Sequence, residues 1–215
     1  SSKTKAILPV HLYGQMAEMD ALLDIAKSRK LRLVEDACQA HGAMWKEQKA
    51  GAFGDAGCFS FHPLKTLNAC GDAGAITTND EELANYLRQS RNIGLKNRDE
   101  SEMWGFNSRL DTLQAAILNL KMDYFEEWTE ARRQNAHFYQ ERLSGVVDIP
   151  KEEPKTRHVY HTFVIQTDAR DALRQRVDTA RQNADDRKRY RKIGKRLHGA
   201  RELLGVTHAL LDAKV

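Results

Sequence analysis

Cysteine, proline and long apolar runs are all scarce in this chain, and each scarcity excludes something. Three cysteines among 215 residues (Cys38, Cys58, Cys70) are too few and too irregularly spaced for a disulfide framework. They also lack the paired spacing of a zinc site. No apolar run approaches the ~20 residues needed to cross a bilayer, and the start carries no charged-then-apolar signal pattern. A membrane partner is therefore excluded at this level, and a reducing, cytoplasmic setting is the expectation. Neither a Walker-type phosphate loop nor a dinucleotide fingerprint occurs, and no internal repeat is visible.

Acidic charge is plentiful at first and then thins out. Residues 1–169 hold 21 Lys+Arg against 24 Asp+Glu, whereas residues 170–215 hold 13 against 6. Fifteen of the 16 aromatic residues lie at or before Phe163, which leaves Tyr190 alone in the remainder. The first part reads as an ordinary globular protein and the last as something different.

Short β-type runs alternate with helical periodicity through the first half. Residues 6–11 (AILPVH), 32–37 (RLVEDA), 57–61 (GCFSF) and 74–78 (GAITT) are the predicted strands. Between the first two, Met19, Leu22, Leu23 and Ala26 recur at helical spacing over residues 16–30. After the fourth, Asn79 with Glu82 three residues on predicts a capped helix to about Ser90. Such alternation implies an α/β fold with a largely parallel sheet. From about residue 111 to 143 runs one long helical pattern, with Leu113, Ile117, Leu120, Tyr124 and Trp128 as its apolar stripe. A helix that long usually joins two bodies or lines a subunit contact. Pro150 and Pro154 bracket the next junction, residues 159–166 (VYHTFVIQ) read as a strand, and a helix begins at Arg170. In that strand His158 and His161 would face opposite sides, which argues against metal binding.

The chemistry concentrates in residues 34–75. A strand delivers Asp36 at its carboxyl end, where open α/β sheets place ligands. Glycine-rich turns follow, then a strand ending at Ser60 and, just past it, His62 and Lys65. An acid at one strand end and an amine past another suit a cofactor that is both cationic and aldehydic.

Several ordered motifs then carry a resemblance: VEDACQAHGA (34–43), GDAGCFSFHPLKTLNACGDAGAITTND (54–80) and GFNSRLDTLQAA (105–116), with PVHLYGQ (9–15) and HVYHTFV (158–164) in support. Residues 3 to about 176 resemble the DegT/DnrJ-type sugar aminotransferases, enzymes of pyridoxal 5'-phosphate (PLP) with fold type I. The resemblance implies that Lys65 is the catalytic residue, forming a Schiff base with PLP and shuttling a proton. It implies that Asp36 pairs with the pyridine nitrogen, Gln39 meets the ring hydroxyl and Ser60 binds the phosphate. His62 would line the substrate pocket or hold the loop. Asn107 and Arg109 would reach the neighbouring subunit's site near the phosphate, making a homodimer with shared active sites. The implied reaction moves an amino group from an amino-acid donor, glutamate by expectation, to a nucleotide-linked keto-sugar, feeding polysaccharide or secondary-metabolite glycosylation. No metal is implied.

The implied fold class is α/β: a partial PLP-transferase large domain, a long connecting helix and the start of a small C-terminal α/β domain. The expected boundaries are 1–110, 111–145 and 146–177, with 178–215 a basic tail that departs from the family pattern. The family carries a further segment before this chain's start, holding a phosphate-binding turn and a ring-stacking residue, so the site is expected to be incomplete here. A reading-frame change or truncated gene would produce the tail. Two other readings stand beside the enzyme. One is a noncatalytic remnant or regulatory relative that keeps the fold. The other is nonspecific nucleic-acid binding by the basic stretch at 181–201, which has only Tyr190 for stacking.

Overall fold

The structure is a computed structural model, and residues 2–182 are described. The basic-tail expectation for 178–215 therefore falls, from residue 183 on, outside the described residues. Four strands, β1 (Ala6–Ile7), β2 (Arg32–Asp36), β5 (Ala56–Ser60) and β6 (Gly74–Thr77), form one sheet in the order β1-β2-β5-β6. The first three run parallel and β6 is antiparallel to β5. Parallel neighbours need a crossover, and α1 (Met19–Arg29) provides it between β1 and β2. Its Met19 and Ala26 join Leu33, Ala37, Ala40 and Trp45 in the main core cluster. A second, antiparallel sheet of β3 (Met44–Trp45), β4 (Gln48–Lys49) and β7 (Thr156–Arg157), ordered β4-β3-β7, has no clear sequence signal because its strands are two residues long.

Three details differ from expectation. Helix α2 (Glu81–Ser90) is capped by Asp80, whose carboxylate accepts the Leu83 N–H at 3.0 Å, not by Asn79. Both residues suit an N-cap, and the acid adds a favourable term at the positive end of the helix. Helix α3 (Thr112–Leu143) has the predicted extent, but it buries Leu118, Phe125, Thr129, Arg132 and Ala136. Of the expected stripe, Leu113 is 80 % exposed and Leu120 and Tyr124 are also exposed. Finally, the VYHTFVIQ run is not a strand: Tyr160 has a left-handed φ of 47°, and only Gln166 bridges, to Asp148. The segment is anchored instead by the Val159 N–H, which donates to the Gly14 carbonyl at 2.9 Å. Gly14 has φ +95°, and a Cβ there would lie 2.7 Å from Val159 Cγ2, 3.0 Å from the His161 nitrogen and 3.1 Å from the Gln39 oxygen. Only glycine permits this close approach.

Charge pairs tie the same segment to α3. Arg133 donates to Glu152 at 2.7 Å and to the His158 carbonyl at 2.6 Å, and Arg157 pairs with Glu126 and Glu130. Glu35, like His11 and Thr129, is buried with no exposed surface. Its carboxylate accepts the N–H groups of Gly51 (2.8 Å), Phe53 (2.7 Å) and Gly54 (2.9 Å) and meets His11 Nε2 at 2.9 Å. Burial alone would raise its pKa; the His11 contact and the three amides outweigh that and hold it below the usual carboxylate value. Such a group contributes stability above its unfolded pKa and loses it as pH falls through the lower folded value.

Replacing Glu35 by Gln turns one carboxylate oxygen into a donor facing donors. We expect Glu35→Gln to cost about 3–5 kcal/mol, as for breaking a buried charge pair. Urea unfolding should show a lower midpoint at unchanged slope; an unmoved midpoint would refute the assignment.

Candidate active site

Alternation along β2 separates two adjacent acids. Glu35 points into the core, and Asp36, half-buried, faces the other way at the strand's carboxyl end. Asp36 Oδ1 accepts the Cys38 N–H at 3.1 Å, while its backbone pairs with Pro9 and His11. Neighbouring β5 is in register with Asp36 opposite Cys58 and ends at Ser60. The parallel pairing thus brings the carboxyl end of β2 beside the loop that carries Lys65.

That loop is irregular yet closely held. The Lys65 N–H donates to the His62 carbonyl at 2.8 Å, and its own carbonyl accepts from Asn68 Nδ2 at 2.8 Å. Asn68 in turn receives the Lys121 ammonium from α3 on both its carbonyl and its side-chain oxygen, each at 2.7 Å. Gln39 Oε1 accepts the Tyr13 N–H at 2.7 Å, which leaves its amide NH₂ as the outward donor. Ser60 Oγ accepts the His62 N–H at 3.3 Å, so its hydroxyl hydrogen remains available to an acceptor. His62 is exposed, its ring nitrogen accepting the Leu64 N–H at 3.2 Å. Asp36, Gln39, Ser60, His62 and Lys65 therefore share one end of the sheet. Asn107 and Arg109 do not join them: both are exposed on the 91–109 arm, whose backbone is tied to Ser90 and Arg91 at the end of α2.

Two histidines near Lys65 were given no role at this site by sequence reasoning, which weighed His161 only as a metal ligand. His41 is buried and its Nδ1 lies 3.3 Å from Thr66 Oγ1. Burial first, then the Lys65 charge, lowers its pKa to about 4, against a smaller opposing effect of the Ser60 carbonyl. His161 is likewise lowered to about 4 by burial, then by Lys65, Arg132 and His41. Both rings are neutral at pH 7. Arg132, buried on α3, has its guanidinium lowered to about 10 by burial. The signal available in the sequence was position alone, since His41 lies five residues past Asp36 in the same turn. Cys38, also beside Asp36 and Lys65, has its thiol raised to about 11, chiefly by burial and then by Asp36, so it is no thiolate nucleophile.

The donor set fits PLP: a carboxylate for a cationic ring nitrogen, an amide donor for a ring hydroxyl, a hydroxyl toward phosphate and an amine for an aldehyde. Among the described residues no cluster of three or more His, Cys, Asp or Glu could hold a metal ion, and no helix is long and apolar enough to cross a membrane.

Comparison with known proteins is consistent in direction. The model of the DegT/DnrJ/EryC1/StrS aminotransferase family matches residues 1–191, beyond the point near 177 where the family pattern was expected to stop. A pleiotropic regulatory protein of Geobacillus stearothermophilus is 46 % identical over 177 residues, 80 % of this chain and 48 % of the relative. A dTDP-3-amino-3,4,6-trideoxy-alpha-D-glucose transaminase of Streptomyces venezuelae is 43 % identical over 82 % of this chain and 47 % of its own length. Among solved structures, S. venezuelae DesV in complex with a ketimine intermediate superposes with a TM-score of 0.81 at 42 % identity, over 83 % of this chain and 49 % of that one. NtdA from Bacillus subtilis with bound cofactor PMP gives 0.74 at 34 % identity, over 83 % and 42 % respectively. The chain thus spans about half the length of the curated relatives it matches.

The neutral histidines generate a prediction. His41, His158 and His161 each have folded pKa values of about 4, below the unfolded value near 6.5. The unfolded chain therefore binds more protons between those limits, and stability falls as pH drops from 6.5 toward 4. Unfolding near pH 5 should take up roughly two to three protons on these imidazoles, and His161→Gln should reduce that by about one. Melting curves across this pH range measure it; a flat profile would contradict the burial of these rings.

Proposed function

This chain belongs to the DegT/DnrJ/EryC1/StrS aminotransferase family, and from that premise we propose that it is part of a PLP-dependent aminotransferase. The acceptor we favour is a nucleotide-linked keto-sugar and the donor an amino acid, glutamate first. The carrying observation is that β2 and β5, paired in parallel, bring Asp36 and the Lys65 loop to one sheet end. A relative that makes a dTDP-linked amino sugar supports the acceptor class.

When bound, PLP supplies an aldehyde that condenses with amines and a cationic ring that accepts electron density. The chain's residues do the rest. Asp36 holds the proton on the ring nitrogen, and Gln39, oriented by the Tyr13 N–H, offers its NH₂ to the ring hydroxyl. Ser60 donates its hydroxyl toward the phosphate. Lys65 would carry the proton within each half-reaction, from the donor's nitrogen-bearing carbon to the cofactor carbon derived from the aldehyde, and in the opposite direction when the acceptor takes the nitrogen. A neutral His41 and His161 add no further positive charge beside that amine.

Asn107 and Arg109 we assign to the neighbouring subunit's site in a homodimer. Exposure of the arm that carries them, with Trp104 at 99 % and Phe106 at 71 %, supports that assignment. We read 1–110 as part of the PLP-binding domain, 111–145 as the connecting helix and 146–177 as part of the small domain. The setting is cytoplasmic, in the synthesis of amino sugars for polysaccharides or secondary metabolites. A second reading, a noncatalytic regulatory relative, is favoured by one relative that is named a pleiotropic regulatory protein. Retention of both Asp36 and Lys65 speaks against it.

The test is to add PLP, fix the adduct with borohydride and map the labelled peptide. We expect the label on Lys65 and its loss in Lys65→Ala. Label elsewhere, unchanged by that substitution, would refute the site; no label at all would favour the noncatalytic reading.

A further inference from the structure

We propose that His41 is a positioning residue: through Thr66 it sets where the Lys65 loop stands relative to the turn that carries Asp36 and Gln39. The inference rests on the PLP reading above and extends it to a residue with no assigned role.

The Lys65 loop is tied to its own strand and to α3. Lys65 is held by His62 and Asn68, Asn68 by Lys121, and the Ala69 N–H returns to the Phe61 carbonyl at 2.8 Å. None of these bonds reaches the turn after β2. Among the described residues a hydrogen-bonding contact that does join the two is that of Thr66 Oγ1 with His41 Nδ1, 3.3 Å long and buried at both ends. It joins the residue next to Lys65 to a ring in the same turn as Asp36 and Gln39.

The ring itself is fixed from both sides. It packs against Phe59 and Phe61, with centroids 5.4 and 5.6 Å away, and is 4 % exposed. The next residue, Gly42, lies against Phe125 of α3, where a Cβ would be 3.0 Å from the ring. Among the described residues His41 Nε2 has no partner at hydrogen-bond geometry, the Ser60 carbonyl being the group that favours its charged form. The charged groups that act on the ring are Lys65 and Arg132, both cations, and their effect together with burial keeps it neutral at pH 7. A neutral imidazole can accept or donate at Nδ1 without repelling the neighbouring amine. A lysine or arginine in its place would add a cation beside Lys65.

The experiment uses two shape-preserving changes that each delete the contact. His41→Phe keeps the aromatic packing, and Thr66→Val keeps the volume. Two readouts are taken on the chain: hydrogen exchange of the amides at 62–69 relative to those of β5, and borohydride-fixed capture of PLP at Lys65. We expect each variant to speed exchange in the loop and weaken PLP capture about three- to tenfold, the scale of one neutral hydrogen bond. The double variant should match either single one, and Thr66→Ser should restore both readouts. Unchanged loop exchange in Thr66→Val would overturn the proposal, as would additive effects in the double variant. Faster exchange with unaltered capture would overturn the positioning role. Were the unmodified chain to capture no PLP at Lys65, the PLP reading would fall for this chain, and loop exchange alone would then decide whether His41 holds the loop.

Discussion

The carboxylate of Glu35 is the constraint on which the rest of this structure depends. It is fully buried, and it is surrounded by donors from two separate stretches: the ring of His11 before the turn at residues 12–14, and the amides of Gly51, Phe53 and Gly54. Each of those backbone groups would otherwise lie near the core without a strand partner, and an unmatched buried donor costs more than a matched one contributes. One side chain therefore satisfies the glycine-rich turn, fixes the exit of β1 and locks β2 between them. Because side chains alternate along a strand, Asp36 is turned to the opposite face by the same act. The candidate site takes its position from an acid that never touches it.

A second layer of constraint comes from outside the sheet. The 156–163 segment reaches back across the chain, pairing β7 with β3 and seating Val159 on Gly14. On α3, Phe125 clusters with Leu67 and Ala69, just past Lys65, while Ala136 clusters with Tyr160 and Phe163, on either side of His161. Arg132 lies between them on the same helical face. The long helix thus acts as a rail against which both walls of the site are set, and its buried face is partly polar for that reason.

This explains what was legible in the sequence and what was not. The strands of the main sheet were readable as short apolar runs, although the first, expected over 6–11, is only Ala6–Ile7 with a single bridge from Val10 to Asp36, and the site motif was readable because its residues sit within one short stretch. The buried face of α3 was not. A helix of 32 residues offers more than one apolar stripe, and the choice depends on partners distant in sequence; Thr129 and Arg132 are buried where periodicity expects hydrophobes. Thr129 manages this by bonding its hydroxyl to the Phe125 carbonyl at 2.9 Å. The run at 159–166 has strand composition, yet docking on Gly14 and the left-handed Tyr160 override that propensity. His41 gave no pattern because its role is defined by a neighbour, Thr66, 25 positions away.

Electrostatics ties the site to the stability of the whole. Lys65 and Arg132 stand near two imidazoles whose titration no acid supports: the groups that act on His41 and His161 are burial, cations and a backbone carbonyl. Keeping both rings neutral avoids adding charge beside Lys65 and the buried Arg132. The same arrangement makes the fold sensitive to acid, since protons that the rings refuse when folded are taken up on unfolding. A fold optimised for stability alone could fill these positions with apolar rings, as Phe59 and Phe61 already do beside them. That an imidazole stands at position 41 instead fits a site in which a hydrogen bond to Thr66, beside Lys65, is worth more than resistance to low pH.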